Sequence, residues 1–178
     1  VDIMNVDAIS IRRARPDDAA LLAGIHDAAW RGAYLGILGG VDLERLIARR
    51  GVAWWEAAIR YRTRITVIEI AGVVAGYVTC GRSRMKTLPY AGEIFELYLL
   101  PEYQGLGFGR RLFTAARADL RAKGLSGLAV RVLVENEPAR HFYEAMGGDP
   151  VSAGLERFGR TDIAIQIFGW ADATAFRR

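Results

Sequence analysis

Residues 101–112 read Pro-Glu-Tyr-Gln-Gly-Leu-Gly-Phe-Gly-Arg-Arg-Leu, and the glycine-rich turn inside them, Gln104 to Gly109, decides the fold. It sits between the apolar run EIFELYLL (93–100) and a segment whose apolar residues, Leu112, Phe113, Ala116 and Leu120, recur at helical spacing. A strand that enters such a turn and leaves it as a helix makes a cradle for phosphates. Glycines let a ligand approach the backbone closely, and the N–H groups of the first helical turn have no intrahelical partner. Arg110 and Arg111 follow at once. Cations in a first turn oppose the helix dipole at about 0.3–1 kcal/mol each, and a bound anion reverses that cost. No Gly-Lys-Ser/Thr closes the turn as in a Walker A loop, and Arg110 interrupts the spacing of a dinucleotide fingerprint. Taken alone, the turn is equally compatible with a plain strand-to-helix connection.

Outward from the turn, the period of the apolar residues predicts the remaining elements. Upstream, residues 8–14 alternate as a first strand, and Pro16-Asp17-Asp18 opens a helix carrying Leu21, Leu22, Ile25 and Ala29. A second helical region, DLERLIARRGVAWWEAAIR, is broken at Gly51. TVIEI and VVAGYVTC, joined by Ala71-Gly72, form a tight hairpin, and 82–92 is a loop. The run 93–100 is apolar enough on both faces for a central strand. Downstream, a helix spans Gly109 to Lys123 and stops at Gly124, followed by the strand LAVRVLV (128–134). A short helix starts at Asn136-Glu137-Pro138, and GLERFGRTDIAIQIFGW makes a final hairpin. The order β-α-α-β-β-β-α-β-α-β-β describes a mixed sheet with helices on its faces.

Bulk properties bound the function. The 178 residues are 52% hydrophobic and 25% charged, the composition of one globular domain with a substantial core. The expected organisation is a single domain over 1–178, with 1–7 and 171–178 as flexible termini. One cysteine, Cys80, excludes an internal disulfide framework and suits a reducing cytoplasm. No apolar run reaches membrane-spanning length, and the first residues lack the layout of a signal peptide. The net charge of +4 comes from basic residues that are nearly all arginine, but they are scattered along the chain as a solvated basic surface would be. No aromatic RNA-binding motif or zinc pattern accompanies them, which disfavours nucleic acid. Two histidines and one cysteine give no metal-ligand spacing, so no metal is expected.

A second constellation, Asn136-Glu-Pro-Ala139-Arg-His-Phe142-Tyr143, follows the next strand. Asparagine is a good helix N-cap, and Tyr143 lies two turns later on the face of Asn136 and Ala139. Together the two constellations resemble the GNAT superfamily of N-acetyltransferases, whose motifs are Gln/Arg-x-x-Gly-x-Gly/Ala between strand and helix, and Asn-x-x-Ala-x-x-Phe-Tyr on the helix beyond. The resemblance covers roughly 8–170 and is most specific over 93–148.

The resemblance implies an α/β (α+β) fold: a central mixed, mostly antiparallel sheet of about seven strands, flanked by about four helices and splayed between the fourth and fifth strands. It implies acetyl-CoA as co-substrate and transfer of its acetyl group to a primary amine, either a small molecule or a peptide N-terminus. Gln104, Gly105, Leu106, Gly107, Phe108, Gly109 and Arg110 would hold the pyrophosphate. Tyr98, Leu99 and Leu100 would pair with the pantetheine arm, and a backbone N–H near Leu99 would face the oxyanion. Asn136, Ala139 and Phe142 would complete the cofactor site. Tyr143 would be the general acid, and Glu93 or Glu96 the base, acting through water. These two glutamates fall on opposite faces of a regular strand unless a bulge intervenes. Trp30 and Tyr34, in the region that walls the acceptor pocket, would contact the acceptor. The competing readings are a Rossmann-like dinucleotide-binding enzyme and a CoA-binding protein without turnover, and a homodimer is left open.

Overall fold

The computed structural model describes residues 9–61 and 64–172. Seven strands form one sheet in the order β1-β2-β3-β4-β5-β7-β6. β1 (Ile9–Arg13) is followed by α1 (Ala19–Tyr34), α2 (Gly40–Ala48) and α3 (Val52–Arg60), then by β2 (Ile65–Ile70), β3 (Val73–Arg82) and β4 (Gly92–Leu99). α4 (Phe108–Ala122), β5 (Leu128–Leu133), α5 (Glu137–Ala145), β6 (Asp149–Phe158) and β7 (Thr161–Trp170) complete the chain. The sheet is mixed and mostly antiparallel, as expected, and β4 is its middle strand. The broken second helical region becomes α2 and α3, so five helices stand where about four were expected. The β2–β3 turn is Ala71-Gly72, both at positive φ, as a two-residue hairpin requires. Of the expected flexible termini, 1–7 and 173–178 lie outside the described residues. Asp172 is tied down: it accepts the Gly127 N–H at 2.8 Å and pairs with Arg121 at 3.2 Å.

Two apolar layers fix the sheet between its helices. The amphipathic stripe of α4 buries Leu112, Phe113, Ala116 and Leu120 against Ile94, Leu128, Val130 and Phe168 on one face. Each of the leucine, isoleucine, valine and phenylalanine side chains among them contributes about 1.5–3 kcal/mol when taken fully from water. On the other face, Leu22 and Ile25 of α1 and Trp55 of α3 close over Val67, Val74 and Tyr77. Ten of the 22 arginines that looked like a solvated surface are drawn into ion pairs among the described residues. Arg12 meets Asp18 and Glu69, and Arg13, Arg64 and Lys123 all meet Asp119.

The parallel pair β4–β5 holds together only over Gly92–Ile94 and Leu128–Val130, after which the strands part. The cause lies on β4. Opposite it, Thr79 and Cys80 of β3 are adjacent, yet they pair with Glu96 and Ile94, leaving Phe95 as an extra residue. Such a bulge bends its strand and increases the local twist. Ile94 and Leu99 pack on the α4 face, while Glu96 and Tyr98 reach the residues beneath α1 and α3.

At the far end of the same strand, Gly76 of β3 admits the close approach of β4. A Cβ there would lie 2.6 Å from the Tyr98 carbonyl oxygen and 2.5 Å from Leu99 Cδ2. Backbone cannot yield as a flexible side chain does, so Gly76→Ala is expected to cost about 2 kcal/mol in chemical denaturation. It is also expected to shift Tyr98 and Leu99. Wild-type stability in this variant would show that the contact is not tight.

Candidate active site

The parted strands open into a cavity of about 410 Å³, a volume suited to small molecules. α5 supplies Ala139 and Tyr143, with Asn136 at its N-cap. β4 supplies Phe95, Glu96, Leu97 and Tyr98, β5 supplies Arg131 and Leu133, and α1 supplies Trp30 and Tyr34. Arg50, Trp54, Arg84, Glu156 and Phe158 close the remaining sides. Tyr143, Glu96, Tyr98, Asn136, Ala139, Trp30 and Tyr34 are thus brought to one space from three separate elements, α5 with its N-cap, β4 and α1.

Beside the cavity lies the glycine turn. Gly105 and Gly107 have φ of 74° and 85°, the left-handed region that only glycine enters freely. α4 then begins at Phe108 with no side-chain cap. Among the described residues nothing accepts from the N–H groups of 105–110; the first backbone bond of the turn is Arg111 N–H to Gly107 O at 3.4 Å. This is a row of free donors at a helix N-terminus, with the exposed Arg110 and Arg111 beside it. Gln104 turns the other way: its Nε2 donates to the Leu99 carbonyl at 3.0 Å and ties the turn to the end of β4. Leu100 N–H is already taken by Ala75 O at 2.8 Å. Leu99 is buried in the α4 core and Leu106 is exposed. Phe142 packs against the turn: a Cβ on Gly109 would stand 3.2 Å from its ring.

Tyr143 is 7% exposed, its ring packed by Phe113, Phe168 and Trp170. Burial, and then the nearby Tyr34, push its hydroxyl above the ordinary phenol range. Tyr98 is raised in the same way, by burial first and then by Tyr34 and Glu96; its hydroxyl lies 3.5 Å from that of Tyr34. Asn136 caps α5, accepting from Ala139 N–H at 3.3 Å, and still lines the cavity.

The two glutamates share a face of the sheet because of the Phe95 bulge, but they differ in access. Glu96 lines the cavity, with one oxygen 2.8 Å from Arg50 and the other accepting the Tyr77 hydroxyl at 2.7 Å. Glu93 does not reach the cavity. It is completely buried, and its two oxygens take the backbone N–H and the guanidinium of Arg84, both at 2.8 Å. Arg84 lies between it and the open space, its guanidinium 4.4 Å above the Phe95 ring. The spacing that suggested Glu93 as a base ignored this arginine, which arrives from the 82–92 loop.

Arg50, Arg84, Arg131, Glu156 and Phe158 escaped the sequence reading. They come from an interhelical link, a loop, and two strands far apart in the chain, and no local spacing signals their convergence. Among the described residues no cluster of histidine, cysteine and acidic side chains could hold a metal ion, and no helix is long and apolar enough to cross a membrane.

Residues 25–148 match the model of the acetyltransferase (GNAT) family, and the chain belongs to that family. Its class is that of N-acetyltransferases that use acetyl-CoA as co-substrate. The chain is 27% identical over 169 residues to the N-acetyltransferase YuaI of Bacillus subtilis (strain 168), covering 95% of this chain and 96% of that one. It is also 27% identical over 139 residues to the L-amino acid N-acyltransferase MnaT of Escherichia coli (strain K12), covering 78% of each. The fold is that of the PaiA N-acetyltransferase of Thermoplasma acidophilum, solved in complex with coenzyme A: the TM-score is 0.71 at 20% identity, over 89% of this chain and 98% of that one. The dinucleotide-binding alternative does not survive, since its parallel doubly wound sheet is not the sheet found here.

Proposed function

We propose that the protein transfers the acetyl group of acetyl-CoA to a primary amine by direct attack inside the cavity between β4 and β5. The observation that carries this reading is the convergence of Tyr143, Glu96 and Asn136 on one cavity that adjoins the unpartnered N–H groups of 105–110. Those N–H groups, with Arg110, fit a pyrophosphate, and the glycines leave room for it. The end of β4 from Tyr98, freed from β5 by the splay, offers backbone to the pantetheine arm.

In the reaction the amine nitrogen forms a bond to the thioester carbon, and the C–S bond breaks as the tetrahedral adduct collapses. Tyr143 gives its proton to the departing thiolate and recovers one from solvent. Glu96 takes the proton lost by the amine nitrogen, through a water molecule; Arg50 and Tyr77 hold its carboxylate in place for this. Glu93, sealed behind Arg84, serves position rather than proton transfer.

Titration calorimetry with acetyl-CoA, followed by a free-thiol release assay over a panel of amines and peptides, tests the proposal. Heat with acetyl-CoA and amine-dependent thiol release are expected. Binding without release from any amine would leave a CoA-binding protein without turnover, and no heat with acetyl-CoA would end the reading.

A further inference from the structure

The charges lining the acceptor half of the cavity are unequal. Three guanidiniums, Arg50, Arg84 and Arg131, stand against two carboxylates, Glu96 and Glu156. Both carboxylates are already engaged: Glu96 by Arg50 at 2.8 Å and Glu156 by Arg131 at 3.2 Å. A polycationic acceptor would find no unpaired negative charge there. The cation without a partner inside the cavity is Arg84, whose own carboxylate, Glu93, lies behind it and outside the cavity.

Arg84 is built to present an anion-binding edge. Glu93 grips both its backbone N–H and its Nη2, at 2.8 Å each, and the ring of Phe95 supports the guanidinium plane from 4.4 Å. Its Nη1 has no hydrogen-bond partner among the described residues, and the side chain is 60% exposed. A planar guanidinium held this way can take a planar carboxylate through two parallel hydrogen bonds, with little side-chain freedom left to lose. The walls around it are aromatic: Trp30, Tyr34, Trp54 and Phe158.

Resting on the acetyl-transfer reading above, we propose that the acceptor is an apolar or aromatic α-amino acid, and that Arg84 binds its carboxylate. Glu93 is the positioning residue that aims Arg84 into the cavity. The amine is thereby directed toward Glu96 and the thioester, while the apolar side chain lies against the aromatic walls.

The test uses matched acceptors: L-phenylalanine and L-leucine, their amides, and phenethylamine and isoamylamine as their decarboxylated forms. Trp30 and Trp54 line the cavity, so tryptophan fluorescence of the protein, read with and without CoA, reports acceptor binding without any need for turnover. The amino acids are expected to bind at least tenfold more tightly than the amides, and to show correspondingly lower KM in thiol release. Arg84→Gln alone would strand the buried Glu93 charge and risks the fold, so the informative variant is Arg84→Gln with Glu93→Gln, which removes both charges together. It should erase the preference for the carboxylate while leaving phenethylamine unaffected. Glu93→Gln alone should raise KM for amino acids with kcat within about twofold, and leave KM for phenethylamine unchanged. Amides and simple amines binding as tightly as the amino acids, or no binding by either amino acid, would overturn the proposal. Acetylation of the neutral amines alone would overturn it and leave acetyl transfer standing. Absence of both acetyl-CoA heat and thiol release would instead remove the transferase reading, and the fluorescence arm would still decide whether the cavity selects a carboxylate.

Discussion

Tyr143→Phe is expected to lower kcat by about 100-fold or more while acetyl-CoA affinity stays within a factor of two. A positioned general acid contributes typically 10²–10⁴-fold, and this variant removes only the proton donor. The ring remains, with its packing on Phe113, Phe168 and Trp170. No described residue hydrogen-bonds the Tyr143 hydroxyl, so its loss strands no polar partner and stability should change little. On solution values alone the raised pKa of this phenol opposes acid catalysis, since an ordinary thiol titrates near 8.5. Two effects work against that objection. The hydroxyl stays protonated throughout the neutral range, so the acid is always loaded. The same low-dielectric surroundings that penalise phenolate also penalise the departing thiolate and make it a stronger base. The proton transfer is therefore better matched than the solution values indicate. Thiol release at saturating amine, with acetyl-CoA affinity measured in parallel by calorimetry, checks this result. Turnover equal to wild type would take the acid role from Tyr143, and Tyr34 or Tyr98 would be the next hydroxyls to substitute.

Much of the scaffold was legible because the signals were local. The glycine turn before α4, the cap at Asn136 and the apolar run of β4 all act over fewer than ten residues, and each appeared where its chemistry predicted. Even the splay had a sequence correlate in the strand–turn–helix motif, although its physical origin did not. That origin is the extra residue Phe95, visible only in how β4 pairs with β3. A bulge leaves little mark on composition, yet it shifts every later side chain to the opposite face. It is why Glu93 and Glu96, three apart, lie on one side of the sheet. The arginines were illegible for a different reason. Arg50, Arg84 and Arg131 stand 34 and then 47 residues apart along the chain, and only the folded sheet gathers them. Read along the chain they were surface charge; in the fold each is matched to a particular glutamate.

Acid should destabilise this protein through one histidine. His26 of α1 is fully buried among Trp30, Trp55 and Tyr98, with ring centroids 5.0, 6.0 and 6.4 Å away. Neither ring nitrogen has a hydrogen-bond partner. Burial, reinforced by the positive charge of Arg50, pulls its pKa down from 6.5 to about 4. The sign of the linkage follows. Between those values the unfolded chain binds a proton that the folded one refuses, so unfolding takes up protons and stability falls as pH falls. The contribution is fully present above about pH 6.5, declines through the interval, and is exhausted near pH 4. A depression of this size corresponds to a loss on the order of 3 kcal/mol. Carboxylates begin to titrate at the lower end of the same range, so the measurement is a difference: urea denaturation of wild type and His26→Leu at each pH. Leucine leaves no polar atom unpaired at a site where the imidazole already has no partner, so the variant should be nearly as stable as wild type at pH 7.5. By pH 4.5 it should be more stable by roughly 2–3 kcal/mol. Curves that run parallel across the interval would mean that the buried ring accepts its proton without penalty. The consequence reaches the acceptor cavity, because Trp30 and Tyr98 both line it and both pack on His26. Protonation of His26 would place a charge between Trp30 and Tyr98, both of which line the cavity. Acetyl-CoA binding in the wild type should therefore weaken as pH falls toward about 4, where the folded His26 takes up its proton, and His26→Leu should remove that loss.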